Sequence, residues 1–289
     1  MDKEAIKRHL VEHGWCIIPD VLSRDEIGEA KQLFYDWQKT IPNHDIMHNT
    51  VDPHGIYKFH EAGHQEHAWF IRTRPNVQQV FRDVWDTDEL VVSFDGSCYL
   101  SQELSKKDNI WTHSDQSAQM NKLCCYQGFV SLTDNQERTL VVYDKTHLIH
   151  HEYFKAKGQM SKGNWQRVDK ADIIASEPIK RALHVPAGAL VLWDSRTFHQ
   201  NQYGAPKSEE RIVQYVCFMP KNNKKNTAAM QKKRRKYFDE RRTTSHWPYP
   251  IQVNGLQPQT YGDSSKLIDY DSLQKSNLER FLPDIEKII

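Results

Sequence analysis

The sequence lacks two features that would point to a membrane or to nucleic acid. A membrane-spanning helix needs about 20 consecutive apolar residues, and no apolar run in the 289 residues approaches that length. A strong net charge is also missing, because 39 Lys and Arg oppose 38 Asp and Glu, which leaves +1. No overall electrostatic field therefore favours a polyanionic partner or a charged membrane surface.

Paired cysteines are missing as well. The five cysteines, an odd number, show neither the spacing of a zinc site nor that of a redox pair. We expect free thiols in a reducing compartment, with the adjacent Cys124 and Cys125 buried as small apolar side chains. The first residues, MDKEAIKRHL, are charged and amphipathic and do not resemble a signal peptide. The sequence therefore predicts an intracellular, cytoplasmic protein, and it leaves the oligomeric state open.

The order of the sequence patterns predicts a mainly β protein with flanking helices. A chain of this length can form one large domain over residues 1–289, with a helical part at 1–88, a β-rich core at about 89–220 and a basic helical extension at 221–289. Helices are predicted at 1–13, 23–39, from Pro75 onward, 227–240 and 276–281. Strands are predicted at 15–19, 90–94, 123–132, 140–143, 183–185, 189–193 and 211–218. Six or more strands without intervening helices favour a two-sheet jelly roll.

Residues 40–74 form a predicted loop that is rich in histidine. The histidines stand at 44, 48, 54, 60, 64 and 67. Their spacing matches no compact metal site, and a solvated or substrate-facing loop explains them equally well. A second metal site and a pocket wall both remain open here.

The segment WTHSDQ, residues 111–116, contains a candidate pair of metal ligands. Residues i and i+2 of an extended segment share a face, so His113 and Asp115 present an imidazole and a carboxylate to one side. With a second histidine they would form the 2-His-1-carboxylate set that binds non-haem Fe(II). His199, after the strand-like run VPAGALVLW, is the candidate third ligand. A bare His-x-Asp often occurs without a metal, so the downstream residues carry most of the weight.

Arg211 opens the strand-like run RIVQYVCF a short distance after His199. A hairpin of that length could return the guanidinium to the metal pocket, where its planar fork can bind a carboxylate through two hydrogen bonds. Such a carboxylate fits the far end of 2-oxoglutarate. The alternative is a surface arginine paired with Glu209 or Glu210, which would contribute little to stability.

These residues, with the earlier pattern GWCIIPDVLSRDE from Gly14 to Glu26, resemble the phytanoyl-CoA dioxygenase family of Fe(II)/2-oxoglutarate oxygenases. The resemblance spans residues 10–220, and the His-Ser-Asp motif is similar to that of ectoine hydroxylase in the same family. It implies a double-stranded β-helix core, of the jelly-roll or cupin-like kind, with Fe(II), O2 and 2-oxoglutarate as cofactor and cosubstrates. The chain departs from the family where a Pro-Gly-Ser-His turn is usual, since it has YDKTH at 143–147.

The resemblance also implies further contacts around the metal. Asn201 and Gln127 match polar positions that touch the cosubstrate in family members, while Asp95 and Tyr99 could orient cosubstrate or substrate. Each of the four could instead be an ordinary hydrogen-bonding residue of a sheet. Related halogenases have a small residue at the carboxylate position, so the presence of Asp115 favours hydroxylation.

The leading hypothesis is therefore a 2-oxoglutarate-dependent dioxygenase that hydroxylates a small or carrier-linked aliphatic substrate. A nucleic-acid-modifying oxygenase is one alternative, supported by the basic run at 221–242. That run is equally explained by a solvated helix with one apolar side. A non-catalytic jelly-roll binding protein is the other alternative, although it would be expected to have lost a metal ligand or Arg211.

Overall fold

The structure is a computed structural model that describes residues 2–42, 44 and 54–289. The helices in these residues are α1 Lys3–His13, α2 Arg24–Gln38, α3 Glu66–Arg72, α4 Pro75–Trp85, α5 Thr146–Ala156, α6 Lys170–Ala175, α7 Ala228–Asp239 and α8 Leu282–Ile288. The strands are β1 Trp15–Ile18, β2 Ile56–Tyr57, β3 Leu90–Val92, β4 Ser97–Leu100, β5 His113–Ser114, β6 Tyr126–Ser131, β7 Leu140–Tyr143, β8 Gln166–Arg167, β9 Lys180–Ala182, β10 Leu190–Asp194, β11 His199–Asn201, β12 Arg211–Val216 and β13 Phe218–Pro220. Short 3-10 turns lie at Ala62–His64, Glu177–Ile179, Ser264–Lys266 and Glu279–Phe281. Of the helices described, none combines the length and apolar character that crossing a membrane demands.

Local sequence signals set the ends of the first helices. α1 ends at Gly14, whose φ of 84° is a left-handed conformation suited to glycine, and whose N–H donates to the Leu10 carbonyl. α2 begins with a capping box, in which Ser23 and Glu26 each accept a hydrogen bond from the other's backbone N–H. α4 begins at Pro75, as predicted, because proline needs no amide partner in the first turn.

The chain folds into two compact units, each built from two separate stretches. Unit 1 contains Met1–Asp20 and Leu100–Arg211, and unit 2 contains Val21–Tyr99 and Ile212–Ile289. The predicted division into a helical part, a core and a C-terminal extension follows the chain, whereas each unit joins an early stretch to a late one. A single domain over the whole chain stays a prediction.

Unit 1 contains antiparallel strands in two groups. In one group β10 lies between β1 and β6, with Trp193 opposite both Trp15 and Gln127. In the other the order is β8-β5-β11-β7-β9, and His113 lies opposite His199 at its centre. A core cluster of apolar side chains in this unit contains Ala118, Val141, Tyr143, Phe154, Val168, Ile173 and Phe198. This second sheet, held by that cluster, positions the candidate metal ligands.

Unit 2 combines the remaining helices with short antiparallel pairs. β2 pairs with β4, and β13 pairs with β3. Phe81 of α4 packs on Phe218 of β13, with ring centroids 5.1 Å apart. The predicted basic helix is present as α7, capped by Thr227, and its Phe238 packs against Trp69.

Several predicted elements are wrong or shifted. Two helices, α5 and α6, interrupt strands that were expected to follow one another without helices. The predicted strand at 183–185 is replaced by β9 at Lys180–Ala182 and a single bridge between Val185 and Asn135. The last helix begins at Leu282, after the predicted 276–281. The expected loop at 40–74 contains α3 and β2, and its His48 lies outside the described residues.

Candidate metal centre

The three predicted ligands lie together in unit 1. One Asp115 carboxylate oxygen, Oδ2, is 3.2 Å from His199 Nε2 and 3.5 Å from His113 Nε2. The candidate ligand atoms all lie within 4.8 Å of one another, and all three residues are buried. Within the described ranges, this is the one group of His, Cys, Asp or Glu side chains close enough to hold a metal ion. Two imidazoles and one carboxylate form the donor set that suits non-haem iron.

Each histidine is oriented by a backbone carbonyl two residues earlier in the chain. His113 Nδ1 is 3.2 Å from the Trp111 carbonyl, and His199 Nδ1 is 2.9 Å from the Thr197 carbonyl. A carbonyl oxygen can only accept, so Nδ1 carries the proton in both rings and donates it. The Nε2 lone pairs then point toward Asp115. Metal-binding histidines are usually held by such a hydrogen bond on the other ring nitrogen.

The electrostatics of the site favour a cation between these groups. Burial, followed by the charge of His113, lowers the pKa of His199, although Asp115 opposes the shift. His199 therefore tends to stay neutral, which is the state that binds a metal. The Nε2 atom of a neutral His199 and the Asp115 carboxylate oxygen, 3.2 Å apart, present lone pairs to each other. A bound divalent cation would relieve that repulsion.

The segment that carries His113 and Asp115 is anchored on both sides. Ser114 points away from the ligands, and its hydroxyl lies 3.0 Å from Nε2 of the buried His150 on α5. The Thr112 hydroxyl donates to Gln200 Oε1 at 2.6 Å, and the Asp115 N–H donates to the Ser195 carbonyl. These contacts limit the freedom of the two ligands before any metal binds.

Arg211 is buried in unit 1, with 1% of its surface exposed. Its Nη1 donates to Asn201 Oδ1 at 2.8 Å, and its guanidinium lies 5.3 Å from the centroid of the Phe129 ring. Nε and Nη2, which form the other edge of the guanidinium, have no hydrogen-bond partner among the described residues. A buried cation with an unused edge fits a carboxylate ligand that would accept both hydrogen bonds.

The surface pair of Arg211 with Glu209, the alternative left open by the sequence, is not formed. Glu209 Oε1 instead accepts from the backbone N–H groups of residues 136–138. These bonds lower the pKa of Glu209 against the opposing effect of burial. Glu209 therefore holds a loop of unit 1 and does not pair with the guanidinium.

Gln127 provides further unused polar atoms in this part of unit 1. Both atoms of its side-chain amide are buried without a partner in the described structure. Gln127 precedes Phe129 by two positions on β6, so the two side chains share a face. It also lies opposite Trp193, whose ring is 5.3 Å from that of His199. The amide thus belongs to the same face as the groups that contact Arg211 and His199.

Asn201 is close to both Arg211 and the ligand segment. Its side chain accepts from Arg211, and its carbonyl accepts from Trp111 Nε1 at 3.1 Å. The resemblance assigned Asn201 a direct contact with the cosubstrate, whereas these hydrogen bonds make it a residue that positions Arg211 and Trp111. Contact with the cosubstrate stays a prediction.

Asp95 and Tyr99 lie in unit 2. The Asp95 carboxyl is buried, which raises its pKa, and the Asp95 backbone carbonyl accepts from Arg72 Nη2 at 2.6 Å. The Tyr99 ring packs near those of Phe34 and Tyr57. Their assignment to cosubstrate or substrate stays a prediction.

Two histidines of the predicted loop, His64 and His67, are buried in unit 2. Burial lowers the pKa of both His64 and His67 to about 3, so both are neutral. His64 Nε2 lies 3.1 Å from the Arg242 carbonyl, and His67 Nε2 lies 2.9 Å from the Ser97 hydroxyl. These hydrogen bonds favour a structural role for the two residues.

Two contributors to the site were missed from the sequence. Gln200 links Thr112 to the Asn109 carbonyl, and Phe129 stacks near Arg211. The alternation of side chains between the two faces of a strand could have predicted both residues. Gln200, between His199 and Asn201, must point to the opposite face, and Phe129 shares the face of Gln127.

Comparisons with known proteins identify the fold. No family model matches the chain. The protein is 27% identical over 191 residues to "Ava biosynthesis cluster protein O" of Aspergillus versicolor, with 60% of this chain and 61% of that protein covered. The carbocyclase SnoK from nogalamycin biosynthesis, described as a non-heme alpha ketoglutarate dependent enzyme, superposes with a TM-score of 0.52 at 19% identity, covering 76% of this chain and 84% of SnoK. The chain shares the fold of this enzyme.

A second solved structure has the same fold. HygX from Streptomyces hygroscopicus, whose structure contains nickel and 2-oxoglutarate, superposes with a TM-score of 0.53 at 12% identity. The match covers 77% of this chain and 88% of HygX. At these identities the comparison concerns the fold, and the function of this chain depends on its own site.

Proposed function

We propose that the protein is an Fe(II)- and 2-oxoglutarate-dependent dioxygenase. The observation that carries the proposal is the presence, in one unit, of the buried His113, Asp115 and His199 group and of a buried Arg211, one edge of which has no hydrogen-bond partner in the described part of the chain. Neither feature is sufficient alone, since metals other than iron bind such groups and buried arginines also serve packing. Together they match a cosubstrate that must reach a metal at one end and a cation at the other.

The residues fit 2-oxoglutarate at its two ends. A facial set of three protein ligands leaves further positions on the metal open, where the 2-oxo acid end and O2 could bind. The far carboxylate would be costly to bury alone, and Arg211 Nε and Nη2 supply the two donors that it needs. Gln127 offers an amide with unused donors and acceptors on the face that includes Phe129.

The reaction we propose is hydroxylation, coupled to decarboxylation of 2-oxoglutarate to succinate. Bound Fe(II) would supply the activation of O2. The chain's own residues would hold the metal in one orientation and neutralise the cosubstrate carboxylate. The jelly-roll, or double-stranded β-helix, organisation and membership of the phytanoyl-CoA dioxygenase family are parts of this proposal.

A direct test measures succinate formed from 2-oxoglutarate by the purified protein with Fe(II), with and without a library of small metabolites. We expect slow succinate formation alone and faster formation with the compounds that bind as substrates. A protein that binds neither Mn(II) nor 2-oxoglutarate would support the non-catalytic binding protein instead.

The nucleic-acid alternative rests on α7 and needs its own measurement. Lys232, Lys233 and Lys236 are exposed on this helix, while Arg234 is buried against the Pro248 carbonyl. Tight binding to an oligonucleotide that weakens steeply with salt would favour this alternative. The alternative would lose its support if the native protein bound no oligonucleotide. It would also lose its support if the variant with all three lysines replaced by glutamine bound as well as the native protein.

A further inference from the structure

The edge strand β8 extends the surface that carries the metal ligands. Arg167 of β8 lies opposite His113 of β5, and Gln166 lies opposite Ser114. Side chains that lie opposite each other in an antiparallel pair share a face, and residues two apart along a strand do so as well. Arg167 therefore lies on the face of His113, and Trp165, two positions earlier, lies on the face of Asp115.

Ring contacts agree with this placement. The Trp165 ring lies 5.6 Å from the His113 ring at an interplanar angle of 29°. Trp111 lies 4.9 Å from the same ring at 26°. The indole of Trp111 is held by its hydrogen bond to Asn201, whereas 55% of Trp165 is exposed to solvent.

The exposed indole borders an open groove. The groove has a volume of about 530 Å³ and is lined by residues that include Met160, Ser161, Trp165 and Arg167. Single exposed apolar residues are common on protein surfaces, and Leu148 is an example in unit 1. Trp165 differs from them because it stacks on a candidate metal ligand and stands beside a groove.

The two side chains specify the chemistry of a ligand. An indole face offers a flat apolar surface on which another flat ring can stack. Arg167 is exposed, and its Nη2 reaches the Ile110 carbonyl only at 3.5 Å. A guanidinium in that state can bind an anionic group, and a carboxylate matches its planar fork best.

We propose that the substrate of this centre is a flat, ring-bearing carboxylate that stacks on Trp165 and pairs with Arg167. The inference rests on the proposed function for the metal and the reaction. It names the substrate class, and it replaces the aliphatic substrate that the sequence suggests. Trp165 and Arg167 both lie on the face of β5 and β8 that carries His113, so a ligand stacked on Trp165 would be separated from His113 by the indole ring.

The test uses 2-naphthoate as the flat anionic probe, with the full-length protein loaded with Mn(II). We expect Trp165→Ala to weaken 2-naphthoate binding about tenfold, which equals about 1.4 kcal/mol. Arg167→Gln should weaken the binding of 2-naphthoate to a similar extent but leave the binding of its neutral amide, 2-naphthamide, unchanged. Matched controls are Leu148→Ala, at a residue that is 63% exposed, and Arg181→Gln on the opposite edge strand. Neither control should change the dissociation constant.

Proton relaxation of the probe tests its position. Mn(II) is paramagnetic, so it should broaden the 2-naphthoate resonances in the native protein, and Zn(II) should not. The broadening should fall in the Trp165→Ala variant at the same probe concentration, in proportion to the lower fraction of bound probe. Unchanged affinity in Trp165→Ala, or tighter binding of octanoate than of 2-naphthoate, would overturn the proposed substrate class.

The same samples separate this inference from the proposed function. Titration of the native protein with Mn(II) and then 2-oxoglutarate tests the metal and cosubstrate sites independently of the 2-naphthoate measurement. If Mn(II) and 2-oxoglutarate both bind while the affinity for 2-naphthoate is unchanged in the Trp165 and Arg167 variants, the proposed substrate class is wrong and the proposed function stands. If 2-naphthoate affinity falls in both variants but the protein binds no metal, the proposed function is wrong and the binding surface formed by Trp165 and Arg167 stands.

Discussion

His113 and His199 lie directly opposite each other on the adjacent antiparallel strands β5 and β11, with ring centroids 4.4 Å apart. This pairing sets both rings on one face of the sheet. Asp115 reaches the same face two positions after His113, and its backbone N–H is held by the Ser195 carbonyl. The geometry of the candidate metal centre thus follows from strand register.

Replacing both His113 and His199 with alanine should remove metal binding. Two of the three candidate donors are lost, and a single carboxylate holds a divalent ion weakly. Calorimetric titration with Mn(II) or Fe(II) measures the loss, and circular dichroism checks the fold. His184→Ala, at an exposed histidine of the same unit, is the control and should bind one ion as the native protein does. Stoichiometric metal in the double variant would contradict the assignment.

Asp115→Gly should abolish succinate formation that depends on 2-oxoglutarate. The carboxylate is the one anionic member of the three candidate ligands, and its Oδ2 lies between the two imidazoles. The measurement is turnover of 2-oxoglutarate with Fe(II), beside the Mn(II) affinity of the same variant. Undiminished turnover would show that Asp115 is not a ligand.

Arg211→Ala should raise the dissociation constant of 2-oxoglutarate by two or more orders of magnitude. Removing one partner of a buried ion pair costs about 3–5 kcal/mol, and each 1.4 kcal/mol or so is tenfold. Mn(II) affinity should stay nearly unchanged. Arg211→Lys should restore binding only in part, because a point charge cannot supply two parallel donors.

Titration of 2-oxoglutarate into the Mn(II)-loaded forms checks the Arg211 prediction. Arg181→Ala, at an exposed arginine on β9, controls for the loss of one positive charge. An unchanged dissociation constant in Arg211→Ala would make the guanidinium a packing group that only contacts Asn201 and Phe129.

The stability of the protein should fall as the pH drops below about 6.5, the ordinary pKa of histidine. Burial lowers the pKa of His64 and His67 to about 3 in the folded state. Between these two pKa values the unfolded chain binds protons at both histidines and the folded chain does not. The stability that is present above about pH 6.5 is therefore lost as the pH falls toward 3. Each histidine contributes a slope of up to about 1.4 kcal/mol per pH unit in this window.

Urea unfolding at several pH values between 4.5 and 7.5 measures this slope. His67→Gln should reduce the slope by up to about 1.4 kcal/mol per pH unit, the contribution of one proton, because glutamine does not titrate. Ser97→Ala removes the hydrogen-bond partner but keeps the imidazole, so it should keep the slope. A His67→Gln slope equal to the native one would contradict the buried, neutral state of His67.

Short-range patterns in the sequence were sufficient to bring two candidate ligands, His113 and Asp115, to one face and to predict the first helices. The i, i+2 spacing of His113 and Asp115 requires a shared face in any extended segment. Ser23 and Glu26 cap α2 through contacts within one turn. These features depend on backbone geometry over a few residues, which does not change with the rest of the fold.

The position of α5 and the choice of its buried face depend on tertiary contacts and not on a local sequence pattern. Its buried side chains include His147, His150 and Phe154, while Leu148 and Ile149 remain exposed. Apolar periodicity, which locates most helices, therefore does not mark the buried face of α5. His147 and His150 are buried because they meet the Val11 carbonyl and the Ser114 hydroxyl, and those partners come from distant parts of the chain.

Tertiary structure also decided the surroundings of the metal ligands. The sequence placed Arg211 after His199, but only the fold buries its guanidinium and leaves one edge without a partner among the residues described. Trp165 carries no motif, and it becomes a candidate ligand platform because β8 pairs with β5 in one register. Strand register is set by packing between residues far apart in sequence, so short patterns could predict the chemistry of the ligands but not the walls around them.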